Sequence, residues 1–435
     1  MCGQSILIHH TPNRSPRFFN LLFDLKILSA PPLERPKPPT NPSSHPLMSE
    51  ELSYVLVTPY SIRKARTGGI VSRLISRTAL DLVESRLFAP SKELVEAYAA
   101  NIVTAENPAD REAQERVRNY VLSHFGPTPN GGRPRVLLLV VKGEDAVAKV
   151  RSVVGHLVGD RTSGETIRDT FGDYITDATG AVTYFEPAAI APQSAEAAKA
   201  DLLLWAKYSD SDGGVVDWAI DFPKGEATEK TLVLIKPDNF RVPSTRPGGV
   251  LDVFSRSGLY IVGLQVLRMS VAQAEQFYGP VLDVLMDKLR ERSGQIARRL
   301  VEEEFKLTLT SETEKQLGDL LGPVNGRENW EQIVKFMAGR KPSECPPELR
   351  NEPGTEKCIA IVYQGVDAVR KTRDVLGPTD PSKAPPGSIR REFGQTIMVN
   401  AAHASDSAEN AARELGIIQF AQNRLKPFIE SWFAK

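Results

Sequence analysis

The sequence predicts an α+β protein made of two tandem ferredoxin-like (βαββαβ) domains, at residues 49–208 and 231–435. Three observations lead there. Short apolar strands alternate with amphipathic helical patterns, the same motifs recur in the same order in both halves, and a stretch rich in Gly and Asp, 209–230, reads as the linker between them. A chain of 435 residues is also too long for one typical domain.

The repeat can be followed element by element. Tyr54-Val-Leu-Val-Thr58-Pro59 and Thr231-Leu-Val-Leu-Ile-Lys236-Pro237 are each an apolar strand ending in a proline turn. Gly68-Gly69 and Gly248-Gly249 follow, each expected as a turn that opens a helix. Residues 80–87 and 259–267 read as strands, and helices carrying Tyr98 and Tyr278 come next. Residues 135–141 and 357–363 are apolar strands. After them, 143–151 parallels 365–373, and Gly164-Glu-Thr-Ile-Arg168 parallels Gly387-Ser-Ile-Arg390. Between Tyr278 and Trp330 the second half carries extra sequence. Leu282, Leu285, Leu289, Ile296 and Leu300 recur there at helical spacing, so an insertion at about 281–328 is expected to be largely helix.

Bulk properties exclude several classes. Lys plus Arg equals Asp plus Glu, 54 each, so no net field favours nucleic acid or an anionic membrane. Cys2, Cys345 and Cys358 are scattered and odd in number, which argues for a reducing compartment and against a disulfide framework. No run of 18 apolar residues exists, so no membrane span and a cytoplasmic location are expected. Residues 1–48 differ from the rest. Their prolines at 31, 32, 36, 38, 39, 42 and 46 oppose helix and core, and Met48 stands just before the first strand. A disordered leader or an over-extended start is expected; organelle targeting, suggested by Arg14 and Arg17, is disfavoured.

The chemistry centres on Asn400-Ala-Ala-His403-Ala-Ser-Asp-Ser407, a histidine among small residues just before a capped helix. Alone, such a histidine is ordinary. Together with Lys236-Pro237-Asp238, Ile261-Val-Gly-Leu264 and Gly387-Ser-Ile-Arg390, it makes the second half resemble the nucleoside diphosphate kinase family over its whole length apart from the insertion. The resemblance implies transfer of the terminal phosphate of ATP to nucleoside diphosphates through a phosphohistidine on His403, with ping-pong kinetics. It also implies that Glu414 orients the imidazole, that Arg373, Arg390, Thr379, Lys236 and Tyr278 surround the phosphates, and that Asn400 holds the ribose. Trp330 aligns with the family's base-stacking phenylalanine. Mg2+ is implied as a bridge between phosphates that needs few protein ligands, and a homo-oligomer is implied by the family's usual assembly.

Departures from the family pattern are Arg391-Glu392 in place of Gly-Asp, and Ala404 in place of glycine. In the first half Thr58 replaces the lysine, the loop at 160–164 has no match to Thr379, and Ile190 falls near the histidine position, although Tyr98, Arg151 and Arg168 persist. The first half is therefore expected to be a structural partner. His9, His10, His124 and His156 have no matching context. Two other functions use the same residues: a non-catalytic nucleotide-binding scaffold, and a phosphohistidine relay to a protein.

Overall fold

Apolar strands buried on both faces set the architecture. The computed structural model describes residues 50–157, 164–179, 182–223 and 225–434; the expectations for the leader at 1–48, and for most of the loop at 160–164, fall outside the described residues. The first half runs β1 (Glu50–Val57), α1 (Pro59–Arg63), α2 (Thr67–Thr78), β2 (Asp81–Phe88), α3 (Lys92–Ala100), α4 (Pro108–His124), β3 (Val136–Glu144), α5 (Ala146–Val154), α6 (Ile167–Phe171), β4 (Asp173–Thr176), β5 (Val182–Glu186), β6 (Ala189–Ile190) and α7 (Ala195–Lys207). The second half runs β7 (Glu229–Ile235), α8 (Arg246–Ser255), β8 (Tyr260–Leu267), α9 (Val271–Phe305), α10 (Ser311–Ala338), β9 (Cys358–Gly365), α11 (Ala368–Leu376), α12 (Ile389–Phe393), β10 (Ala402–Ala404), α13 (Ala408–Ile417) and α14 (Leu425–Phe433). The strands form two antiparallel four-stranded sheets of corresponding order, β2-β3-β1-β6 and β8-β9-β7-β10, with a separate β4-β5 ribbon.

Successive strand residues point to opposite faces, so each sheet feeds two cores. Tyr54 and Leu56 of β1 pack with α3, α4 and α7, while Val55 and Val57 join a central core. That central core also takes Val233 and Ile235 of β7, whereas Leu232 and Leu234 face Trp330 and Val334. The central core is thus shared by both halves. Within it α2 and α8 cross at Gly68 and Gly248: a Cβ on Gly248 would lie 2.2 Å from the Gly68 carbonyl oxygen, and one on Gly68 2.6 Å from that of Gly248. The sequence suggested a turn here. These glycines instead lie in the first turns of α2 and α8 and allow two backbones to touch.

Part of the expected linker is bonded to both sheets. Gly214 N–H donates to Leu87 O at 2.9 Å, and Val216 N–H to Val262 O at 2.8 Å, so one short stretch is tied to β2 and to β8. The end of the chain crosses as well. Leu425 and Ile429 of α14 are buried in the core of the first half, so the boundary expected for the second half, 231–435, includes a helix that completes the other core.

The expected helical insertion is the hairpin of α9 and α10. Gly318, Gly322 and Gly326, one turn apart on α10, face α9 so closely that added Cβ atoms would fall 2.5–2.6 Å from Arg290 and Met286 backbone atoms. Ser270 starts α9 with a capping box through Gln273, and Thr310 caps α10. Among the described residues no helix is long and apolar enough to cross a membrane.

Gly248→Ala should lower stability by about 1–3 kcal/mol, the usual cost of overpacking. Gly416→Ala, where an added Cβ meets nothing within 4 Å, should be neutral or gain up to ~1 kcal/mol of helix propensity. Urea unfolding of both variants measures this; equal responses would show that the crossing has room to spare.

Candidate active site

β10 is a short edge strand, and its pairing with β7 sets His403 opposite Leu234. The backbone corner before it is pinned by the turn that follows β7. Ala401 N–H donates to Asp238 Oδ2 at 3.2 Å, while Ala401 O accepts from Asn239 Nδ2 at 2.7 Å and from Lys236 N–H at 2.9 Å. Ala401 takes φ +69°, outside the usual range for alanine.

Ser407 caps α13 by accepting from Asn410 N–H at 3.0 Å, and the helix then brings Glu414 back beneath the histidine. His403 Nε2 lies 2.9 Å from Glu414 Oε2, which also accepts the Ser405 hydroxyl at 2.6 Å. A carboxylate accepts only, so this contact keeps the proton on Nε2 and leaves the lone pair on Nδ1. Arg413 sits 3.5 Å from the other Glu414 oxygen, and the Phe277 ring meets the imidazole edge-to-face at 5.1 Å. Ser405 and Phe277 were not singled out for these roles. Their signals were local: Ser405 lies two residues after His403 within the quoted motif, and Phe277 precedes Tyr278.

Around the imidazole are cations held by neutral acceptors. Lys236 Nζ donates to Asn400 Oδ1 at 2.7 Å; burial, reinforced by Arg390, lowers its pKa to about 8. Arg390 donates to Gly377 O at 3.0 Å and Ala402 O at 3.4 Å, while its Nε has no partner. Burial and the neighbouring Arg373 lower its pKa to about 10. Arg373 itself is exposed on α11 and has no ion pair among the described residues. Thr379 is exposed in the loop before α12, and its carbonyl accepts from Asn400 Nδ2 at 3.1 Å. Burial is the main cause of both shifts, and the partners of both cations are neutral acceptors, an arrangement that can take an anion.

Tyr278 is buried, and its hydroxyl has no partner; burial, with Cys358 and Glu414 nearby, pushes its pKa up. Trp330 departs from expectation. It is 6% exposed, packs in the core with Val334, and donates its indole N–H to Tyr278 O at 2.9 Å. A ring buried in this way pins α10 to α9 and offers no open face for a base. The aromatic beside the lysine is instead half-buried Phe336, whose ring centre lies 5.8 Å from Lys236 Nζ.

The first half repeats this geometry with different chemistry. Ile190 pairs with Leu56 as His403 pairs with Leu234, and Ala188 at φ +59° matches Ala401. Thr58, in the lysine position, donates its hydroxyl to Glu186 at 2.9 Å, and Tyr120 donates to the same carboxylate. Asp201, placed along α7 as Glu414 is along α13, accepts from Tyr54 at 2.8 Å and Asn101 at 3.1 Å. Arg168 donates to Gly155 O and Ala189 O, and Arg151 to Gln193 O at 2.8 Å.

Because Lys236 loses its proton near pH 8 in the free protein, inorganic tripolyphosphate should bind best below that pH. Affinity should weaken about tenfold one pH unit above it, and Lys236→Met should flatten the profile. Calorimetry between pH 6.5 and about 9.5 tests this; a flat wild-type profile would remove Lys236 from the anion site.

Comparison with known proteins bears on the family. A family model described as Nucleoside diphosphate kinase matches residues 286–424. The Nucleoside diphosphate kinase of Gluconacetobacter diazotrophicus is 31% identical over 201 residues, 46% of this chain and 99% of that protein. That of Wolinella succinogenes is 30% identical over 187 residues, 43% of this chain and 92% of that protein. Among solved structures, an orthorhombic crystal form of the Aquifex aeolicus enzyme matches at 26% identity with a TM-score of 0.28, covering 46% of this chain and 99% of that one. With a relative matched over nearly its full length at this identity, the chain belongs to the nucleoside diphosphate kinase family.

Proposed function

We propose that the second half is a working nucleoside diphosphate kinase unit, with His403 Nδ1 as the phosphoryl acceptor. The observation that carries this reading is the Glu414 contact at Nε2, which aims the unprotonated nitrogen away from the carboxylate. In the first half-reaction the Nδ1 lone pair attacks the γ-phosphorus of ATP. The bond to the β–γ bridging oxygen breaks, and its electron pair leaves on ADP. In the second, a terminal oxygen of a nucleoside diphosphate attacks the phosphorus and returns the pair to Nδ1.

Phosphoryl transfer needs mainly positioned positive charge and donors. Arg373 and Arg390 supply planar guanidinium groups for the phosphate oxygens, Lys236 a point charge, and Thr379 and Tyr278 hydroxyl donors. The resemblance gives Asn400 the ribose hydroxyl, but here it is buried, with its oxygen on Lys236 and its amide on the Thr379 and Ile397 carbonyls, so it braces the lysine instead. Trp330 has no part in base binding and serves to hold Tyr278. Mg2+ is what the family resemblance implies; no residue of this site is assigned to hold it, and bound to the nucleotide it would neutralise phosphate charge.

The two halves read as duplicated ferredoxin-like units, the first degenerate. Support comes from the corresponding sheet orders and from the registers of Ile190 with His403 and of Asp201 with Glu414. An isoleucine has no lone pair to accept a phosphoryl group, and the polar groups that remain are bonded to one another. The first half then acts as a built-in structural partner, burying the central core and α14.

After incubation with γ-labelled ATP, wild type should carry acid-labile label and His403→Ala none, while ADP binding stays within about threefold. A labelled His403→Ala protein would refute the assignment. Arg390→Lys should lower kcat/KM at least about tenfold, because one ammonium cannot make a two-pronged phosphate contact. Truncation after Arg424 should lower the melting temperature by several degrees, since Leu425 and Ile429 leave a core, yet the remaining protein should still label at His403. Loss of labelling in a folded truncation would show that α14 also shapes the site.

A further inference from the structure

A cavity of about 230 Å³ opens between the two halves, apart from the His403 site. Arg63, Thr67 and Arg135 line it from the first half, and Ser255, Tyr260 and Tyr363 from the second. Ile62, Leu251, Leu259 and Ile261 give it an apolar wall.

Its polar chemistry is unbalanced. Arg135 is half-buried, donates to Ile261 O, and lies 5.5 Å over the Tyr260 ring, but has no carboxylate partner. Burial holds its pKa down to about 10. No Asp or Glu lines the cavity. The Thr67 and Tyr363 hydroxyls are buried without a hydrogen-bond partner. A half-buried cation with no anionic partner costs free energy until an acceptor reaches it.

We propose that this cavity binds a small organic anion, one carboxylate or phosphate head on an apolar body, with the head on Arg135 and the body against Leu251, Leu259 and Ile261. The volume suits such a ligand, since an apolar cavity of ~150 Å³ already takes up benzene. The ligand would touch both halves at once and so favour the assembled chain over the opened one.

The test uses the full chain with benzoate, phenyl phosphate and neutral benzamide at millimolar concentration, read by calorimetry and thermal shift. At least one anion should bind saturably and raise the melting temperature, and benzamide should not. Which anion binds more tightly decides between a carboxylate and a phosphate head. Arg135→Gln should weaken binding at least about tenfold, as expected for loss of a charge-assisted contact. Arg135→Lys, which keeps the charge but not the forked donor, should weaken it a few-fold. That second variant decides the matter if Arg135→Gln does not fold. Saturating ADP and His403→Ala should leave binding unchanged, so this result is independent of the proposed kinase activity. The proposal is overturned if neither anion binds, if benzamide binds equally, if ADP displaces the probe, or if the folded variants bind as wild type does.

Discussion

Ala401 holds a backbone conformation that alanine rarely adopts, and the turn after β7 holds it there. Asp238 takes its N–H, while Asn239 and the Lys236 amide meet its carbonyl. That corner sends the chain into β10 in the one register that puts His403 on β7 opposite Leu234. It also leaves Asn400 facing Lys236 and places α13 so that Glu414 reaches the imidazole. A slip of one residue would turn the histidine to the other face of the sheet. The site therefore depends on backbone restraint before any side chain acts.

The first half uses the same restraint for another end. Ala188 sits at the equivalent corner, its carbonyl accepting from the Thr58 amide at 3.1 Å and the Ser61 hydroxyl at 3.0 Å. Around it, however, the buried charged groups met by neutral donors are carboxyls: Glu186 accepts from Thr58 and Tyr120, and Asp201 from Tyr54 and Asn101. In the second half they are cations, Lys236 and Arg390, resting on carbonyls and an amide. One backbone frame thus carries hydrogen-bonded carboxyls in one half and buried cations in the other.

The start of α9 and the end of α10 close the core over β7, and the rest of their hairpin extends beyond it. Its glycines let the two helices touch along α10, and Trp330 locks the base of the hairpin to Tyr278. Any movement of the hairpin against the sheet would be felt at Tyr278, whose hydroxyl is unbonded. The insertion is thereby coupled to a residue of the proposed phosphate site.

The sequence alone determined what is local. Strand and helix order and the helical insertion follow from periodicity and capping, which are properties of neighbouring residues, while the site candidates His403, Glu414, Lys236, Asn400 and Arg390 follow from the family resemblance that the motifs carry. The strength of the anion site did not follow, because the lowered pKa values of Lys236 and Arg390 come from burial by distant segments. Nor did the fate of Trp330, to which the family resemblance gave a stacking role, but whose indole N–H finds a carbonyl in α9 and whose ring enters a core. Gly68 and Gly248 look like turns until two helices, 180 residues apart in sequence, are seen to cross there. The cavity beside Arg135 exists only because both halves supply its walls. Contacts between residues far apart in the chain decide burial, and burial sets the charge state and availability of each group, so these features belong to the tertiary structure.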